Sequence, residues 1–218
     1  MTTPLSSPSL LAAARRAHGR RLRLAISLTL YAGALGAAVV LISLLTRTKP
    51  WVEPEHLSFA PSVFLSLGGA LAGMLIVWPI AYWFGDGAGA PRGLLAWLAA
   101  GFGFGVLLPL LTGAFLPLSI VFIDLSLGII SAGELFSRAL DALFRAPLSL
   151  AVNGALGIFT GLLAGALFGT GAWVVDMVNA SSNPVASRYG PWAIALLLGS
   201  IAVVIAVFGP ADTLAKLG

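Results

Sequence analysis

The residue with the clearest chemical potential is a carboxylate in an unfavourable place. Asp124 lies near the middle of FLPLSIVFIDLSLGIISAG, residues 115–133. An aspartate at the centre of an apolar spanning helix costs about 2.5–3.5 kcal/mol on insertion scales, so it must face a protein interior or a water-filled cavity. Gly128 and Ser131 follow at i+4 and i+7, which would surround it with a small, polar helix face. Counting helical rise from the membrane ends sets Asp124 level with Gly157 and Thr160 of a later run. Thr160 is its expected hydrogen-bond partner, and Asn153 and Ser131 complete the candidate site. Such a group would serve as a cation or proton site or as a substrate anchor. The structural alternative is a protonated aspartate bonded between helices. A third arrangement is a re-entrant hairpin with the carboxylate in water.

Other chemistries lack their residues. There is no cysteine, hence no disulfide, no thiolate metal site and no cysteine nucleophile. The two histidines, His18 and His56, lie outside the apolar runs, which leaves a membrane haem or metal centre without imidazole ligands. The GFGFG string at 101–105 sits inside an apolar run and follows no strand, so it is not a phosphate loop. No second ionisable group accompanies Asp124 at membrane depth. Asp176, Asn179 and Asn183 read as a solvated loop surface. The sequence therefore predicts neither an enzyme nor a cofactor or metal.

The elements that must position these residues follow from composition. Of 218 residues, 59% are hydrophobic and 9% charged, and the mean hydropathy is +1.00. Soluble domains carry roughly 25% charged residues, so the main solvent of this chain is lipid. The expected fold is an all-α integral membrane bundle of six spans, about 24–45, 61–84, 93–111, 115–133, 147–171 and 191–209, with one interfacial helix at 134–146. Residues 1–23 form a basic cytoplasmic tail, 24–209 the transmembrane domain and 210–218 a short C-terminal tail. The segment 93–133 is nearly all apolar. As one helix it would run about 61 Å, twice the hydrocarbon thickness. A break at Thr112-Gly113-Ala114, between Pro109 and Pro117, would fold it into a hairpin. Residues 134–146, ELFSRALDALFRA, are amphipathic, with Glu134–Arg138 and Asp141–Arg145 at i,i+4. This helix is too charged to span and is expected in the membrane plane, as an elbow or a docking surface. The run 172–190 reads as a loop flanked by the interfacial Trp173 and Trp192.

Small residues recur with a period of four. Gly157, Gly161, Gly165 and Gly169 form one stripe, and Gly69 with Gly73 and Gly101 with Gly105 form shorter ones. In lipid such glycine-zipper stripes let helix backbones approach closely, within the chain or between subunits.

Charge sets the expected orientation. Five of the twelve basic residues fall in RRAHGRRLR, 15–23, which suits a topogenic anchor better than a nucleic-acid site. Six spans with both termini in the cytoplasm divide the basic residues nine to three, and a single crossing at 93–133 divides them seven to five. The positive-inside bias favours the first. The expected location is a bacterial inner membrane, with an organelle membrane as the alternative. The partners are the bilayer and either other membrane subunits or further copies of the chain. Two functions fit: a small-molecule or ion transporter, or its membrane-embedded component, and a non-catalytic accessory subunit of a membrane complex.

Overall fold

The computed structural model describes residues 7–46, 59–84, 90–155 and 157–214. The polar loop at 47–58, with His56, the breaker-rich turn at 85–89 and the extreme tails lie outside the described residues. Within them the chain is helical, with six α-helices and no strand: α1 Ser7–Thr46, α2 Phe59–Phe84, α3 Leu94–Ser126, α4 Leu135–Ser149, α5 Ile158–Asn179 and α6 Pro184–Leu214. A π-helical turn, Leu150–Gly154, joins α4 to α5. Five of the helices, all but α4, are long and apolar enough to cross a membrane, close to the six spans expected.

The difference lies in 93–133. There is no hairpin: α3 runs unbroken through Pro109, Gly113 and Pro117. A proline frees the carbonyl four residues earlier, and in a membrane helix a neighbouring hydroxyl can take it over. Pro117 frees Gly113, and the Ser149 hydroxyl donates to the Gly113 carbonyl at 2.6 Å. Asn153 Nδ2 in turn donates to Ser149 Oγ at 3.0 Å. The sequence break was thus repaired by a residue 36 positions away.

The helix stops later, at a Schellman motif. Gly128 holds φ +71°, its N–H bonds the Leu125 carbonyl, and the Ile129 N–H bonds the Asp124 carbonyl at 2.8 Å. Gly128 therefore ends α3 and does not share a helix face with Asp124. The turn that leads into α4 is tied by Glu134, the residue just before the helix: the N–H and hydroxyl of Ser131 both donate to its Oε2, at 2.9 and 3.0 Å.

Other boundaries also move. The basic cluster 15–23 is not a tail but the helical start of α1. The span expected at 147–171 and the loop expected at 172–190 become the π turn, α5 and the first turns of α6. The helix expected at 134–146 extends to Ser149 and lies against the second half of α3.

Helices α1, α3 and α6 run from the basic end of the bundle toward a distal end, and α2, α5 and α4 run back. Three seams fix this register. Gly36 of α1 backs onto Gly69 of α2, and Gly199 of α6 onto Ala34 of α1. Gly101 and Gly105 of α3 back onto Gly165, Gly169 and Gly161 of α5 so closely that a methyl group on Gly105 would sit against the Gly161 carbonyl. With no hydrophobic drive between helices in lipid, such backbone approach and dispersion contacts provide the packing. Trp97, Phe104 and Phe168 fill the buried centre, with the Phe104 and Phe168 rings 4.6 Å apart. The Tyr31 hydroxyl closes the α1–α5 contact on the Leu167 carbonyl at 2.9 Å. Helix α1 starts at one end of the bundle and α6 ends at the other.

Candidate functional site

A groove between α3 and α4 brings together the charged residues of the distal half. It encloses a cavity of about 440 Å³. Asp124 enters it from α3, and Arg138, Asp141 and Arg145 from α4. Spacing explains why α4 contributes three: 138, 141 and 145 follow the i, i+3, i+7 stripe of one helix face. A second stripe, Leu135, Ala139, Ala142 and Ala146, is half-buried or buried and small enough to let α4 lie close to α3. The third face points away. Phe136 and Phe144 on it are 81% and 78% exposed. So α4 keeps its charges beside the groove and its large apolar side chains outside, as a helix flanked by lipid and a polar cavity requires.

The groove reaches deep. Gly113 packs on Gly154, which places the π turn beside the middle of α3. Asn153 and Val152 of that turn line the cavity. From Arg138 to Val152 the wall descends about 20 Å at 1.5 Å per residue. π turns often sit at functional sites, and this one forms the floor of the groove.

Its electrostatics are balanced, with two guanidiniums and two carboxylates. Among the described residues, no hydrogen bond or ion pair ties these four to one another. The i,i+4 spacing had suggested intrahelical pairs, but Glu134 turns back to Ser131. Those two Ser131 bonds, the backbone one foremost, hold the Glu134 carboxyl below its ordinary range. No group of three or more His, Cys, Asp or Glu side chains gathers among the described residues.

Of the residues picked from sequence, Asp124 and Asn153 both line the groove. Thr160 does not meet Asp124, because its hydroxyl bonds back to the Gly157 carbonyl at 2.8 Å. Ser131 is spent on Glu134. Gly157, Gly161, Gly165 and Gly169 face α3, where Pro109, Gly105, Gly101 and Trp97 meet them, and Gly69 and Gly73 face α1. Missed altogether were Arg138, Asp141 and Arg145 as partners of Asp124. Their signal was the amphipathic pattern itself, once α4 stands against α3 and not flat on the membrane.

A second polar cluster lies at the basic end. Asp176 is not on a loop but inside α5, and 4% exposed. Its Oδ2 accepts from Trp97 Nε1 at 2.9 Å and from the Arg92 N–H at 2.8 Å. Arg92 Nε reaches the Phe84 carbonyl at 3.2 Å. Asn179, also buried, donates to the Arg20 carbonyl at 3.4 Å. These bonds fasten α1, α2, α3 and α5 together.

Comparison with protein-family models, characterised proteins and solved structures finds no match to this chain.

Proposed function

We propose that the protein is a multi-pass membrane transporter, or the membrane-embedded component of one, whose solute enters through the α3/α4 groove. The observation that carries this reading is a charged cavity that descends to the mid-depth of an otherwise apolar bundle. The four charges stand at its distal mouth, in the last turn of α3 and on α4, where an entering solute is met first, and interrupted helices commonly supply the site in transporters. The π turn and Pro117 are such interruptions. The protein acts by binding and moving its solute, without catalysis. The basic end carries Arg15, Arg16, Arg20, Arg21, Arg23, Arg92 and Arg188, so it faces the cytoplasm. The groove then opens on the opposite side of a bacterial inner membrane.

A cysteine-free chain makes the test direct. A single Asn153→Cys variant is exposed to a charged, membrane-impermeant thiol reagent in sealed vesicles of each orientation. A conduit gives labelling from the groove side and, more slowly, from the basic side. Labelling from the groove side alone reduces the groove to a binding pocket, and no labelling makes it dry.

One observation favours the accessory-subunit reading. Phe159, Leu163 and Leu167 form an exposed apolar ridge along α5, with Phe159 84% exposed. Intact-complex mass after gentle extraction decides: other chains in fixed stoichiometry would establish a subunit.

A further inference from the structure

The polarity of the groove changes along its length. Its charges gather at the distal mouth, on Asp124, Arg138, Asp141 and Arg145. Toward mid-depth the walls are mostly apolar, Leu116, Ile120, Leu148 and Val152, with Ser149 and Asn153 bonded to each other as the polar residues there. A small soluble ion gains nothing from an apolar depth. An amphiphile gains from both parts. The deep walls are also open to the flank: Ile120, Leu148 and Val152 line the cavity and are each 46% or more exposed. They sit at the level where acyl chains run, between the bilayer surface and its middle.

We propose that the groove takes one phospholipid whose headgroup joins a phosphate to a primary amine. This rests on the reading of the groove as the solute site and names the class of solute. Arg138 and Arg145 face the phosphate, since a guanidinium matches phosphate oxygens with parallel donors. Asp124, across the groove, takes the ammonium. One acyl chain lies along Ile120, Leu116, Leu148 and Val152. The equal number of carboxylates and guanidiniums suits a zwitterion better than a purely anionic lipid, against which the two carboxylates would act by repulsion.

The test uses the full chain, purified in mild detergent and offered an equimolar mixture of phosphatidylethanolamine, phosphatidylglycerol and diacylglycerol. Native mass spectrometry reads the bound lipid. The expected result is one phosphatidylethanolamine per chain, retained about tenfold over phosphatidylglycerol, which lacks the amine, and about a hundredfold over diacylglycerol, which lacks amine and phosphate, as one charged hydrogen bond for each group supports. Arg145→Gln should lower retention of both phospholipids about tenfold. Asp124→Asn should erase the preference for phosphatidylethanolamine over phosphatidylglycerol. Leu148→Trp leaves every charge in place and fills the chain slot, and should also release the lipid. Equal retention of all three lipids, or an unchanged Leu148→Trp protein, overturns the proposal. Displacement by free phosphoethanolamine at the same concentration also overturns it, in favour of a soluble amino-phosphate. Labelling of Asn153→Cys from both sides without lipid selectivity sinks the lipid and keeps the conduit. Selective lipid retention with one-sided labelling keeps the lipid and sinks transport.

Discussion

Two aspartates, one at each end of the bundle, have opposite environments. Asp176 is buried at the basic end, and Trp97 Nε1 and the Arg92 N–H fill its Oδ2. Asp124 is half-buried on the wall of an open groove that it shares with Arg138, Asp141 and Arg145. A carboxylate whose acceptor is occupied by donors fixed in the fold holds helices together. A carboxylate facing a cavity among other uncommitted charges is available to a ligand. Burial alone would have ranked the two the other way, because the more buried acid is the structural one.

The largest effect expected from this contrast is on stability. Asp176→Ala strands the buried Trp97 Nε1 donor, and an unsatisfied buried group of this kind costs about 1–3 kcal/mol. Asp124→Asn should change stability by under about 0.5 kcal/mol, as at a site without a fixed partner. Thermal unfolding of both variants in one detergent measures the difference. Equal destabilisation would break the comparison. Next in size is the α3–α5 seam, where Gly105→Val would drive a side chain into the Gly161 backbone. Overpacking there should cost about 3 kcal/mol and show as loss of monodisperse protein, whereas Gly103→Val, with nothing within 4 Å of its added methyl, should be tolerated.

These contrasts also mark what the sequence could show. Composition and long apolar runs were enough for a membrane helical bundle, because lipid demands them regardless of partners. The cost of an ionisable group among apolar ones was enough to single out Asp124, and Asn153 joined it through the small-residue register. The sequence reading put Asp176 on a loop because Trp173 and Trp192 resemble interfacial aromatics, while its donors, Trp97 and Arg92, lie about eighty residues away. The α3 hairpin was misread for a related reason. Pro109, Gly113 and Pro117 are breakers in water, where a freed carbonyl is solvated and the chain can turn. In a bundle, Ser149 satisfies that carbonyl and the helix continues. Local rules lost to contacts made at long range.

That repair gives a smaller and sharper prediction. Ser149→Ala removes the donor to Gly113 and should cost about 1 kcal/mol. Pro117→Ala returns a backbone N–H to α3, so the same carbonyl regains a partner within its own helix. In the Pro117→Ala background the Ser149→Ala change should therefore cost little. A double-mutant cycle should give a coupling of about 1 kcal/mol, and additivity would show that the hydroxyl does not replace the lost helix bond.

The smallest effect concerns pH and the start of α4. Glu134 has its carboxyl held below the ordinary value of 4.5, first by the Ser131 N–H and then by the Ser131 hydroxyl. A group whose folded-state value is depressed stabilises the fold above its unfolded value, and that contribution disappears as pH falls through the folded one. The Ser131–Glu134 tie should thus be intact at pH 6 and open below the ordinary carboxylate range. Amide hydrogen exchange in the first turn of α4, corrected for intrinsic rate, should rise on acidification. Glu134→Gln should remove the pH dependence while keeping an acceptor for Ser131. The α3–α5 glycine seam, Gly101 and Gly105 against Gly161 and Gly165, carries no titratable side chain and should show no matching change over the same window. A parallel rise in both places would mean that acid loosens the whole bundle and that the start of α4 is no separate element.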